Sequence, residues 1–267
     1  LSPASAATKS ITCYKGSAVK IVKGSNPKCP AGFSNKKPVL TSPTSTAQPQ
    51  PIPTPVLPVM SAEFIDLKHL TAISKFRSCV GHDFSPGEGG HGPPGSESGR
   101  SMKHYLQTDL PLSPGNSVKI FAPSGGSIQI EEETFPLGKQ VYINSGEWSV
   151  RIFHIDPIVK NGDVVKAGDL IGTIPPINAQ ELLGHPGPTG QKPYQFDIAV
   201  SKSKLEFKSI FEIMTPQIAS EWAQKGFTKE NSFLSKEFRD ATPCTLRPDG
   251  QFFANSDGGP DDWVPSK

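Results

Sequence analysis

No run in this 267-residue chain comes near the roughly 20 consecutive apolar residues that carry a helix across a bilayer, so no stretch reads as a membrane span. An excess of one charge is missing too. Lys and Arg number 27 against 25 Asp and Glu, a net charge of +2, and that balance gives no electrostatic case for nucleic acid or an anionic membrane. Cysteine is scarce, at four residues. The count is even, with Cys13 and Cys29 close together and Cys79 and Cys244 far apart. In an exported protein an even count suggests two bridges, one closing a short loop and one tying the start of the main domain to its end. Free buried thiols or a thiolate metal ligand are the competing readings.

What the chain has in abundance is proline, 28 residues, and glycine, 25. Together they imply a loop-rich β protein rather than a helical one. The opening Ala4-Ser5-Ala6 has the small-residue form of a signal-peptidase site without a signal's charged and apolar regions; with the cysteines it points to a secreted or cell-surface protein, the plainer reading being an ordinary flexible terminus. Three segments follow. Residues 1–37 contain ITCYKGSAVKIVKGSNPKCPAGF, which alternates apolar and polar residues around a Lys-Gly turn. So short a piece needs a staple, so it reads as a small β module, a hairpin held by Cys13 and Cys29. Residues 38–60 hold seven prolines among Ser, Thr and Gln, an extended, semi-rigid spacer.

Residues 61–267 form the main domain. Short β-type runs, VKIFAP, GSIQIEE, KQVYIN, WSVRIFHI, DLIGTI and YQFDIAV, are separated by glycine and proline turns, the pattern of an antiparallel β domain. Strict alternation along SVRIFHI puts Val150, Ile152 and His154 on one face and Arg151, Phe153 and Ile155 on the other. After Ser201 the pattern turns helical: SIFEIM, IASEWAQKG, and NSFLSKEFRDA with Asn231 as its cap. The expected fold is mainly β, a barrel-sandwich with C-terminal helices and the small hairpin in front.

The phrase KNGDVVKAGDLIGTI, residues 160–174, with glycine turns at Gly162 and Gly168, resembles the paired turns of lysostaphin-like zinc endopeptidases. VKIFAPSGGSIQI, RIFHID and YQFDIAV are similar to three of their strands, over about 120 residues. Biotinyl or lipoyl carriers share the turns but display a modifiable lysine in a hairpin, which is not found here. The resemblance implies zinc, a peptidoglycan substrate and metal-activated water. In that family H-x-x-x-D and H-x-H supply the ligands. Here C-V-G-H-D puts Cys79 in the histidine position and gives Asp83 a ligand role. His154 inherits the water-assisting role, Asp197 falls where the second ligand histidine was, and Gln195 where the assisting histidine was. A remade site of Asp83, His104 and Asp197, with His82 or His154 nearby, offers carboxylate and imidazole ligands to zinc or another divalent metal, oriented by Lys103 or Tyr105.

Each residue has a plainer reading. Asp83 before Ser and Pro-Gly is ordinary turn chemistry; His104 is a strand-end histidine bonded to backbone; His154 is a satisfied core histidine; Gln195 faces solvent. Asp197 lies in an apolar strand, where an unpaired carboxylate costs several kcal/mol. It therefore demands a cation, and metal, Arg and Lys all qualify. His91 and His185 read as loop residues and His69 as a helix-surface residue. Two function classes follow: a metal-dependent hydrolase of peptidoglycan or another extracellular polymer, or a non-catalytic module that binds glycan or peptide at the cell surface.

Overall fold

The computed structural model describes residues 8–16, 18–37, 57–86, 97–109, 118–132, 138–174, 194–203, 205–248 and 252–267, with the backbone alone at Tyr194 and Gln195. His91, His185 and the expected spacer from 38 to 56 lie outside them. The chain forms two units, Leu1–Ile52 and Pro53–Lys267.

In the first unit β1 (Lys9–Lys15) and β2 (Ala18–Gly24) pair antiparallel, closing at Lys15↔Ala18. Two strands of this length are marginal alone. Cys13, fully buried, is bonded to Cys29 with the Cα atoms 5.6 Å apart. Ser34 exchanges two backbone hydrogen bonds with Tyr14, of 2.7 and 2.9 Å, and so continues the ladder at the edge of β1.

The second unit is built on β3 (Leu70–Ser74), β4 (Val80–His82), β5 (His104–Thr108), β6 (Val118–Phe121), β7 (Gly126–Glu132), β8 (Lys139–Ser145), β9 (Trp148–Pro157), β10 (Val164–Val165), β11 (Leu170–Ile174), β12 (Tyr194–Lys202), β13 (Glu206–Lys208), β14 (Phe252–Asp257) and β15 (Trp263–Pro265). Among the described residues, eleven of these form one antiparallel sheet. Its main path is β10-β7-β8-β9-β12-β5-β3-β15, with β11 bridging β6 and β9, and β13 on β12. The β-type runs of the sequence become β6 to β9, β11 and β12. Gly162 and Gly168 take φ of +88° and +91°, values that L side chains adopt only under strain, and so make the two turns around β10.

One face of the sheet is the core. Val141, Ile143, Val150, Ile152, Phe196, Ile198 and Val200 are all buried there with Leu106 and Ile120. Trp222 and Phe227 close it from the C-terminal region, with Trp222 donating its indole N–H to Glu63 Oε2 at 2.7 Å. Helix α1 (Pro216–Gln224) begins at Thr215, whose hydroxyl accepts from Ile218 N, with Pro216 at its first position. Ile218 and Trp222, four residues apart, form its buried stripe.

Three helical expectations need correction. SIFEIM forms a single 3-10 turn, Ile210–Glu212, capped by Ser209. In NSFLSKEFRDA the cap is Ser235, not Asn231, and α2 spans only Lys236–Ala241. Asn231 instead ties a turn, accepting from Thr228 N and donating to Gly226 O. Phe233 bridges to Phe76 in extended backbone. His69 ends a 3-10 turn rather than a helix, with Nδ1 3.0 Å from Asp109.

Cys79 and Cys244 are bonded across 165 residues of chain. Loop-closure entropy makes this link worth about 5 kcal/mol, against about 3 for the short Cys13–Cys29 loop. Replacing both Cys79 and Cys244 with Ser should therefore lower the urea midpoint of the large unit markedly. The Cys13→Ser, Cys29→Ser pair should leave that transition in place, as followed by tryptophan fluorescence, since Trp148, Trp222 and Trp263 all lie in the large unit.

Candidate functional site

On the sheet face away from the core, side chains from β4, β5, β9 and β12 converge. The register sets which ones. Asp197 pairs with Tyr105 and Ile198 with His104, and successive residues of a strand point to opposite faces. Asp197, Tyr105 and Lys103 therefore share the outer face, while His104 goes with Ile198 to the core side.

Lys103 and Asp197 form an ion pair with side chains only 3% and 0% exposed. The ammonium stands within 4.4 to 5.0 Å of the ring centres of Phe153, Phe84 and Tyr105, a three-sided aromatic cage of cation–π type. Gly81, at φ +73°, is required here, because a Cβ on it would lie 2.1 Å from the Tyr105 hydroxyl. His82 Nε2 lies 3.1 Å from Lys103 Nζ and its Nδ1 lies 2.9 Å from the Asp83 carbonyl oxygen. An ammonium can only donate and a carbonyl only accept. His82 is thus the neutral tautomer with its proton on Nδ1, and Lys103 donates to Nε2. The adjacent ammonium, aided by burial, pushes the His82 pKa down to about 4.

His154 completes the cluster. Val141 pairs with Ile152, but Lys139 pairs with Ile155, so β9 carries an extra residue there, and His154 takes φ +62°. This bulge breaks the expected alternation. Ile155 returns to the core beside Ile152, and His154 turns to the outer face, where Nε2 lies 3.1 Å from Asp197 Oδ1. Burial opposes ionisation of Asp197, yet Lys103 and His154 together outweigh it and hold the carboxyl well below the usual carboxylate range. For Lys103, burial opposes the charge and Asp197 and Tyr105 outweigh it, raising its pKa. Beyond Phe84 and Phe153 a second cation, Arg151, stacks on Tyr142 with its guanidinium 4.4 Å from the ring centre.

The structure does not bring the other expected ligands here. Asp83 is spent on its own loop: its carboxylate accepts from Ser85 Oγ at 2.5 Å, Gly99 N at 2.8 Å and Arg100 N at 3.3 Å. His104 is buried, with Nδ1 donating to the Ser74 carbonyl and Nε2 accepting from Ser209 Oγ, both at 2.7 Å. Burial drives its pKa down to about 4. Cys79 is closed by its disulfide. Gln195 pairs with Gln107 through its backbone, and its side chain lies outside the described residues.

The zinc that the resemblance implies does not fit these residues. Among the described residues no group of three or more His, Cys, Asp or Glu is arranged to hold a metal ion. The ammonium of Lys103 itself fills the space between Asp197 and His82. From the sequence Lys103 is expected only as an orienting neighbour. The demand of Asp197 for a cation was the signal that could have found it.

No protein-family model matches the sequence, and no curated protein matches it. Among solved structures the chain is similar to the deep-sea M23 metalloprotease pseudoalterin, at 13% identity and a TM-score of 0.34, covering 58% of this chain and 74% of that one. It is similar to Csd3 of Helicobacter pylori at 18% and 0.34, covering 58% and 40%, and to lysostaphin at 17% and 0.31, covering 51% and 52%. The match thus spans about half or less of the latter two proteins. Likeness at this level assigns the chain to no family.

Two outcomes follow. Removing one partner of the buried pair leaves an uncompensated charge, so Lys103→Met and Asp197→Leu should each cost about 3–5 kcal/mol in urea unfolding. The double variant should recover most of that loss. The pH dependence has a definite sign. His82 and His104 have folded pKa values of about 4, below the ordinary 6.5, so between these values the unfolded chain binds more protons and stability rises with pH. Glu63, raised by burial to about 7 from 4.5, acts in the opposite direction. Thermal midpoints should therefore climb from about pH 4 to about 6.5, and more steeply in Glu63→Gln.

Proposed function

We propose that this chain is a non-catalytic module on an endopeptidase-like scaffold, exported to the cell surface, where it holds peptidoglycan glycan or peptide without cutting it. The observation that supports this is the position of Lys103. A zinc peptidase needs an open coordination site at which bound water reaches a pKa near 7. A caged ammonium supplies no such water, and both carboxylate oxygens of Asp197 are engaged by Lys103 and His154. The two disulfides support export, since such bonds persist in oxidising compartments. What the site offers outward is a set of half-buried rings: His82, His154, Phe207 and Phe252. Phe207 packs edge-on against Phe84 and Phe252 against His82, so rings supported from behind present apolar edges to a sugar or peptide.

Purified protein mixed with excess zinc should bind no metal tightly by calorimetry and release no soluble fragments from isolated cell walls. It should nevertheless sediment with those walls at about 0.5 M salt, where charge attraction is screened within a few Å. Phe207→Ala with Phe252→Ala should reduce that retention several-fold while the fold persists by circular dichroism. Zinc-dependent release of wall peptides, abolished in His154→Ala, would restore the hydrolase reading.

A further inference from the structure

The near-neutral total charge conceals a segregation. Seven of the 27 basic residues lie in the first 52 positions, Lys9, Lys15, Lys20, Lys23, Lys28, Lys36 and Lys37, and the first acidic residue of the whole chain is Glu63. The remaining 20 basic residues stand beside all 25 acidic ones. The first unit is therefore +7 and the remainder −5. All seven lysines are exposed, and the unit holds no carboxylate side chain to pair with any of them.

The hairpin also has one open face. Cross-strand register and alternation place Cys13 and Lys20 on the disulfide face, where Lys20 lies over the Phe33 ring at 5.5 Å. Tyr14↔Val19, Thr12↔Ile21 and Ser10↔Lys23 fall on the other face. There Val19 is 58% exposed and Ile21 67%, beside a half-buried Tyr14. This is a short apolar strip with an aromatic ring and Lys23 beside it, while Lys9, Lys15 and Lys20 line the disulfide face of the same hairpin.

We infer that the N-terminal unit is a docking surface for an anionic polysaccharide, a polymer of sugars bearing repeated negative groups. Charge complementarity sets the sign of the partner, and the strip of Tyr14, Val19 and Ile21 matches the C–H faces of sugar rings. Two other polyanions fit less well. The unit has no Arg, the residue whose planar fork reads phosphate and base edges in nucleic acid. Its open face carries no Trp, Phe or Leu to enter a membrane interface. The inference shares with the proposed function only the cell-surface setting, and it concerns different residues.

The test uses the full chain and polygalacturonate as the probe. Binding followed by microscale thermophoresis should weaken roughly tenfold or more between about 50 and about 200 mM salt. The variant Lys9→Gln, Lys15→Gln, Lys20→Gln, Lys23→Gln should lose at least about tenfold, and the same four positions changed to Arg should retain binding. Val19→Ser with Ile21→Ser should weaken it at constant charge. Equal binding of neutral dextran, an unaffected Gln variant, or tighter binding to duplex DNA or to phosphatidylserine vesicles would each overturn the inference. Wall retention at high salt depends on the ring surface of the other unit, so loss of one behaviour leaves the other measurable.

Discussion

The ion pair of Asp197 and Lys103 is the constraint around which the large unit is arranged. A carboxylate with no exposed surface is tolerated only when its charge is answered within contact distance. The answer comes from the neighbouring strand: β5 lies beside β12, and Asp197↔Tyr105 register puts Lys103 within reach. Its ammonium then needs surroundings of its own. Phe84, Tyr105 and Phe153 supply ring faces, Gly81 makes room for Tyr105, and a neutral His82 accepts a hydrogen bond. The β9 bulge adds His154 on the far side of the carboxylate. Each of these features is costly alone, and each has a reason once the buried charge is given.

Much of the fold was legible in the sequence because it rests on local signals. Alternation and glycine turns located the strands from Val118 to Val200, and cysteine spacing suggested both disulfides. The candidate site was legible in half. Asp197 announced a need for a cation from its apolar strand alone. His104 could have been set aside by the same alternation: the consecutive residues Lys103, His104 and Tyr105, at the start of β5, cannot all face one way. Asp83 had its turn chemistry written beside it, in Ser85 and the following loop. His154 was different. Its place depends on a bulge with a left-handed histidine, which no pattern of apolar and polar residues encodes. The reach of Lys103 was hidden for another reason, since a long flexible side chain finds its partner through strand register.

The buried carboxylate is answered by a cation that the chain itself carries. The resemblance would give imidazoles and an aspartate to a metal ion, and the structure engages these positions in other ways. Cys79 is half of a disulfide, Asp83 caps its own loop, and Asp197 holds Lys103. A carboxylate there suits a monovalent ammonium, since one negative and one positive charge compensate. An ammonium carried by the chain cannot be chelated or diluted away, so this ion pair does not depend on metal supply, unlike sites whose binding energy is folding energy.

The opposite charges of the two units bear on how such a chain can hold a polymer. A remainder at −5 and a unit at +7 respond in opposite ways to an anionic chain: the lysine-rich hairpin is drawn to it, and the large unit is repelled at long range. Any hold exerted by the large unit must therefore come from short-range contact, such as ring edges against sugar or peptide, which salt does not screen. A hold exerted by the hairpin's lysines would, by contrast, be lost as salt rises. Two modes with different ranges on one chain give an encounter step governed by charge and a retention step governed by shape. Joined on one polymer, the second contact gains the effective concentration that the first provides.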